Sequence, residues 1–477
     1  MPKNAKQEKI LVLRWFRNFA VFPEMALSRI SGAPLLDKSL PDRQLTVERG
    51  RFMKSHLFPA LLLLTSIILL GSAAANEGSI AFTGATIIDG TAAAPLADGV
   101  LVVTDGRVRS IGPASEVSIP ADAERIDVSG KTIMPGMINA HGHVGDTLGL
   151  ETGHYSRENV LDQLGLYARY GITTVLSLGG DEAPGFQVRN EQFHAGLDRA
   201  RLYVAGSVVN GETLPEIRSQ LNANADLGAD YIKTRIDSEL GQLPTLAPEV
   251  FQSLMDLAES RRLPVAVHIY YLEDARMVLE AGAKIIAHSV RDLEVDRDFI
   301  ELMIENDACY IPTMMRDVST FVYETEPDFF SDPFFLAEAD PAVLAELSTP
   351  EYRSGIRNSA ASRQYKADLP NALVNVGLLH DAGVLVAMGT DTGPPARFQG
   401  YFEHEEMQMM VDAGMSPLDA IRAATGEAAR CIGQSEIGTL EPGNWGDFIV
   451  LDGNPAQDIA NTRLIDSVWI AGNRVPR

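Results

Sequence analysis

From residue 133 onward the chain repeats one alternation: a short apolar, β-branched run followed by a stretch with helical spacing. The runs fall at 133–140, 172–178, 200–209, 229–236, 263–269, 284–288, 309–314 and 384–389. Strands separated by helices pair in parallel, because each helix carries the chain back across the sheet, and a strand covered on both faces is apolar throughout. Eight such units are enough to close a ring. The spacing therefore predicts an α/β fold built on a (β/α)8, TIM-like barrel over residues 133–434. Residues 79–132 have a different texture, with short β-rich runs broken by Asp-Gly and Gly-Pro turns, and residues 435–477 return to it. The two ends of the mature chain are expected to join in one small β-sandwich.

Barrels of this kind carry their chemistry at the C-terminal ends of the strands. His141 and His143 close the first run, and residues two apart in a strand share a face, with Gly142 adding no bulk between them. Taken alone, the pair fits two packed strand histidines as well as a metal site. Lys233 closes the fourth run, His268 the fifth and His288 the sixth, while Asp391 follows the eighth. All six therefore meet at one end of the predicted barrel.

A lysine ligates poorly until its amine captures carbon dioxide. The resulting carbamate has two oxygens that can bridge two cations, and burial favours the neutral amine this needs. Lys233 is one of four lysines after residue 75. Two divalent cations, zinc by default for an imidazole-rich set, would bring a bridging water toward a pKa of about 7 and so supply hydroxide at neutral pH. Asp391 would then serve as both ligand and catalytic base.

These residues in this order resemble the amidohydrolase superfamily, with Pro135-Gly-Met-Ile-Asn-Ala-His-Gly-His143 as its opening motif and Gly443-Asn-Trp-Gly-Asp-Phe-Ile-Val-Leu451 as its return to the sandwich. The likeness spans residues 79–477 and is strongest to the imidazolonepropionase-like and metal-dependent dipeptidase (prolidase-like) branch. It implies that His141, His143 and Asp391 bind one metal and His268 and His288 the other, with carbamylated Lys233 bridging them. It also implies a hydrolase of amide-type C–N bonds in dipeptides or N-acyl amino acids. Carbamates, ureas, lactones or esters are the alternative at the same centre. The chain departs from many dipeptidase relatives after the third strand, where it reads Ala205-Gly-Ser-Val-Val-Asn-Gly-Glu-Thr213 rather than carrying Gly-Gly-His.

Residues 53–75 have the basic start, apolar centre and small-residue end of a secretory signal peptide, which makes residues 1–52 an upstream mis-start and the mature protein periplasmic or secreted. The first 75 residues hold 11 basic and 5 acidic side chains of the chain's 40 and 64, leaving 29 against 59. So acidic a chain excludes nucleic acid, and membrane association after cleavage, as partners. What remains is a small-molecule substrate and, from family habit, a homo-oligomer.

Cys309 and Cys431 lie far apart and read as two buried thiols rather than a disulfide. Tyr270, Tyr271 and Arg291 follow strand-end histidines and are candidates for substrate contact, Arg291 as a fork for a carboxylate. Its competing role is a salt bridge to Asp292 or Glu294. His154 could hang over the metals from the loop after the first strand. Glu403, Glu405 and Glu406 read as a solvated charge run. Residues 316–350, rich in phenylalanine, are expected to form a packed cap over the barrel mouth, with packing on the outside or dimer contact as the other reading.

Overall fold

The computed structural model describes residues 78–238, 240–241 and 245–476. The signal-like segment and the stretch before it lie outside the described residues. The fold is α/β. Among the described residues no helix is long and apolar enough to cross a membrane.

The first sheet is mixed and has eight strands. Its hydrogen-bonded order starts at β16 (Asn473–Arg474), β15 (Ile465–Ile470) and β14 (Phe448–Leu451). It continues through β5 (Thr132–Pro135), β1 (Ser79–Ile87), β2 (Leu96–Thr104) and β3 (Arg107–Pro113), with β4 (Glu124–Asp127) paired to β1. Strands from both ends of the described chain thus share one sheet. It curls on itself, since the rings of Phe82 on β1 and Phe448 on β14 meet edge to face at 4.9 Å although β5 separates their strands.

Parallel strands carry the rest. β6 (Met137–Gly142), β7 (Ile172–Ser177) and β8 (Arg201–Val204) form one sheet. β9 (Ile232–Arg235), β10 (Val265–His268), β11 (Ile285–Ala287), β12 (Cys309–Ile311) and β13 (Leu385–Val386) form the other. β7 reads Ile-Thr-Thr-Val-Leu-Ser and is buried at every residue, as a parallel strand covered on both faces must be.

Hydrogen bonds continue across both gaps between these sheets. Val209 N donates to Lys233 O (2.8 Å) and Asp230 N to Val204 O (2.8 Å) on one side. On the other, Ala140 N donates to Met388 O (2.9 Å) and His143 N to Thr392 O (2.7 Å).

The run expected as one strand at 133–140 is divided between the two systems. Residues 132–135 pair with β1 and β14, residues 137–142 pair with β7, and Gly136 turns the chain between them. A Cβ at Gly136 would stand 2.1 Å from Thr173 Oγ1, so no other residue allows this crossing.

Cys309 and Cys431 are joined by a disulfide with a Cα–Cα distance of 5.5 Å, which corrects the expectation of two free thiols. The parallel pairing sets Cys309 at the start of β12, and the helix Gly426–Cys431 ends beside it. Separation along the chain says nothing about such neighbours.

The segment 316–350 is ordered into short helices. Val343 and Leu347 cluster with Leu150, which follows β6, and with Ala396 and Phe398, which follow β13. Tyr323 OH donates to Ala396 O (2.5 Å). The segment therefore covers loops that leave the C-terminal ends of two parallel strands.

Non-reducing peptide mapping is expected to recover a Cys309–Cys431 cross-link. Because the bridge closes a loop of 122 residues, Cys431→Ser should cost about 3–5 kcal/mol in denaturant unfolding. An unchanged midpoint would mean that the bridge does not constrain the unfolded chain.

Candidate metal centre

The six strand-end residues sit at one place. His143 Nε2 lies 2.8 Å from Asp391 Oδ1, and His141 Nε2 lies 3.6 Å from the same oxygen. Lys233 Nζ is 3.1 Å from His141 Nε2. The His288 ring centroid is 4.5 Å from that of His141 and 3.9 Å from that of His268. His141, Lys233, His288 and Asp391 are all buried, while the His143 side chain is 26% exposed and opens the site to solvent.

The residues fit a bound cation. His143 Nδ1 is 2.9 Å from the Gly179 carbonyl, which can only accept, so Nδ1 carries the proton and Nε2 presents its lone pair. That lone pair faces a carboxylate oxygen at 2.8 Å. Two electron-pair donors so placed need a proton or a metal between them. His141 Nδ1 and His268 Nε2 are buried without a hydrogen-bond partner among the described residues, although Asp237 Oδ1 stands 3.5 Å from the latter. His288 Nδ1 is engaged by Thr313 Oγ1 at 2.6 Å, an outer contact of the kind that orients a ligating ring.

Charge states agree with this geometry. Burial, aided by the Lys233 charge, holds His141 and His268 well below the usual histidine range, and burial with the neighbouring His268 does the same for His288. Neutral imidazole is the form that ligates. Burial brings the Lys233 amine down to about 7. Burial pushes the Asp391 carboxyl up, but the Arg397 guanidinium beside it outweighs this and holds the group well below the carboxylate range.

The backbone is also strained here. His288 (φ 75°), Thr313 (φ 51°) and Asp391 (φ 57°) are left-handed without being glycine, at about 1–3 kcal/mol each. His288 N bonded to Ile311 O (2.8 Å) and Asp391 N bonded to His141 O (2.6 Å) hold two of them in place.

Beneath the metal site lies a buried polar cluster. Asn139 Nδ2 donates to Glu403 Oε1 (2.6 Å), and the hydroxyls of Thr390 and Thr392 donate to the same oxygen (2.7 Å each). Asn139 Oδ1 in turn accepts from His141 N (3.0 Å) and Thr390 N (3.3 Å). Glu403 and Glu406 are thus buried rather than solvated, a correction to the charge-run expectation. Burial raises Glu403 to about 6 and Glu406 to about 8. Glu405 alone of the three pairs outward, with Arg463 at 2.7 Å. The helical spacing of Glu403, Glu406, Met407 and Met410, all buried, was the available signal.

Arg291 is not placed to clamp a substrate. It is fully buried, donates from Nη1 to both oxygens of Asp317 (2.6 and 2.8 Å), and donates from Nη2 to Ile269 O (3.1 Å). The expected alternative partners Asp292 and Glu294 do not hold it either. Asp292 instead accepts from Leu272 N at 2.9 Å. Tyr270 is buried, its hydroxyl donating to Asp368 Oδ2 and its ring beneath Arg291. Tyr271 is partly exposed and borders an open cavity of about 580 Å3 together with Asp274, Asp292 and Asp296. His154 pairs at the surface with Glu151 (3.6 Å). Sequence reasoning passed over Arg316 and Arg397, whose guanidiniums both approach Asp391 Oδ2.

A family model described as the amidohydrolase family matches residues 132–475. The imidazolonepropionase of Streptomyces coelicolor is 25% identical over 79% of this chain and 92% of its own length. The 5-methylthioadenosine/S-adenosylhomocysteine deaminase of Symbiobacterium thermophilum is 27% identical over 77% and 84%. Among solved structures, a putative prolidase from Bifidobacterium longum superposes with a TM-score of 0.68 at 24% identity, covering 84% of this chain and 95% of that one.

Glu403→Leu would leave buried donors of Asn139, Thr390 and Thr392 without their acceptor. It is expected to cost about 2–5 kcal/mol and to lower metal content after dialysis. Unchanged melting together with unchanged metal content would show that the cluster does not hold the site.

Proposed function

The chain belongs to the amidohydrolase family, and from that premise we propose that it is a divalent-metal hydrolase that adds water across an amide-type C–N bond in a dipeptide or an N-acyl amino acid. The observation that carries the reading is the meeting of His143 Nε2 with Asp391 Oδ1, its Nδ1 proton already committed to a carbonyl. His141, His143 and Asp391 would hold one cation and His268 and His288 a second, with Lys233 bridging as a carbamate. Zinc suits the imidazole donors. Bound there, the cations would acidify water and polarise the substrate carbonyl.

The protein's own groups do the rest. Asp391 is held ionised, so it can take a proton from the attacking water and return it to the departing nitrogen. Lys233 is buried and brought to about 7, which leaves neutral amine available for carbon dioxide. We read the eight parallel strands as one closed barrel, a reading supported by the hydrogen bonds across both gaps between the parallel sheets. Export to the periplasm or medium is supported by the Cys309–Cys431 bridge, since disulfides persist in oxidising compartments.

The alternative substrates, neutral carbamates, ureas, lactones or esters, gain from one observation: Arg291, the cation expected to select a carboxylate, is consumed by Asp317. Residues 76–477 should be assayed by mass spectrometry against dipeptides and N-acyl amino acids beside the neutral compounds, with and without a chelator. Chelator-sensitive release of amino acids is the expected result, and turnover of the neutral pool alone would favour the alternative. Lys233→Ala and Asp391→Asn should each lower kcat by about 100-fold or more. Retained turnover in either variant would remove the assigned role.

A further inference from the structure

Three arginines, Arg291, Arg316 and Arg397, share two carboxylates, Asp317 and Asp391. Arg291 occupies both oxygens of Asp317, and Arg397 donates to Asp391 Oδ2. Arg316 is left at the flank of each. Its Nη1 reaches Asp317 Oδ1 at 3.2 Å, an oxygen Arg291 already holds at 2.6 Å. Its Nε stands 3.8 Å from Asp391 Oδ2, outside hydrogen-bond reach.

Arg316 is 7% exposed, and its Nε has no hydrogen-bond partner among the described residues. Its guanidinium lies over the ring of the buried Tyr365, 4.2 Å from the centroid. A guanidinium is always charged and offers five donors in a planar fork, so burying it without a counter-ion of its own is costly. A cation bound by Asp391 would draw further on the carboxylate that Arg397 uses. Solvent reaches this edge, because the Arg397 side chain is 19% exposed and that of His143 is 26% exposed.

We propose that Arg316 and Arg397 are the anion-recognition pair of the site, binding a free carboxylate of the substrate next to the scissile C–N bond, with Tyr365 as the aromatic wall. The proposal rests on the hydrolase reading above and names its substrate class: an amide bearing a carboxylate within reach of the reacting carbonyl. The role foreseen for Arg291 passes to two arginines further along the chain. Arg291 instead holds both oxygens of Asp317, so Arg316 shares that carboxylate with it.

The test uses a matched binding pair, 4-phenylbutyrate and 4-phenylbutanamide, with mass spectrometry confirming that the amide stays intact during the titration, and a reactive pair, N-acetyl amino acids and their primary amides. Calorimetry on the metal-loaded protein should show the acid bound about 10- to 100-fold more tightly than the amide. Arg316→Met and Arg397→Met, each checked for an unchanged melting temperature, should erase that preference. Arg316→Lys should restore part of it. In kinetics Arg316→Met should lose more kcat/KM for the acids than for the amides, by a similar factor, and Arg316→Lys should narrow that gap.

Equal binding of acid and amide by the native protein overturns the proposal, as does equal loss for both ligands in the correctly folded variants. A protein that keeps the acid preference in binding but hydrolyses only neutral carbamates or lactones overturns the amide reading and leaves the recognition pair standing. One that hydrolyses acids and amides alike, unaffected by either methionine variant, does the reverse.

Discussion

The centre depends on one seam, where the chain around 388–392 hydrogen-bonds to the chain around 140–143. His141 O accepts from both Thr390 N (3.1 Å) and Asp391 N (2.6 Å), so the residue that supplies an imidazole also fixes the backbone that supplies the carboxylate. Without the seam, His143 and Asp391 are 248 positions apart and have no reason to meet. Asn139, Thr390, Thr392 and Glu403 fasten it from beneath with buried hydrogen bonds. Such bonds are strong where water is excluded, and they leave little freedom to the left-handed Asp391 between Thr390 and Thr392. A Cβ at Gly389 would stand 2.9 Å from His141 N, so close approach of the two segments also requires that glycine.

Electrostatics follow from the same burial. Burial keeps the imidazoles of His141, His268 and His288 neutral and draws the Lys233 amine toward neutrality, while Arg397 keeps the Asp391 carboxylate charged. These are the protonation states in which nitrogen and oxygen donors bind a metal. The site is therefore prepared by its surroundings before any ion arrives. The preparation is costly, with ionised and polar groups held in a dry interior, and the surrounding core of apolar strands and helices has to offset it.

Much of this was legible in the chain. The apolar runs marked the parallel strands, because covering both faces of a strand leaves a continuous apolar record. The strand-end position of His141, His143, Lys233, His268, His288 and Asp391 followed from those runs, and the structure brings all six together. What escaped were facts of pairing rather than of residue type. Cys309 and Cys431 become neighbours only once β12 and a helix more than a hundred residues later are packed together. Arg291 looked like a clamp because it follows His288 by three residues, yet its partner Asp317 comes from the next strand-to-helix connection. Glu403 and Glu406 looked solvated because their charge outweighed the helical spacing that buries them. The turn at Gly136 falls on the Pro135-Gly136 pair, a turn signal inside the apolar run that a single-strand assignment passes over, and the close approach of Thr173 excludes a side chain there.

The candidate metal ligands and the proposed recognition pair stand on different parts of the fold. Metal-site residues stand on strand ends or on backbone hydrogen-bonded to them, where displacement of one breaks the ladder of its neighbours. Arg316 and Arg397 stand on connections, one in the helix Met314–Ser319 after β12 and the other in the loop after Asp391. The two connections are also joined by an aromatic cluster. Tyr323 bonds Ala396, and Phe329 and Phe335 pack on Phe398 with ring centroids 6.2 and 4.7 Å apart. The first helix is further anchored by Glu406, whose two carboxyl oxygens accept from Met314 N and Met315 N. A fold arranged this way can change its substrate while keeping its reaction, which is the division expected when specificity lies on loops and chemistry on a rigid frame.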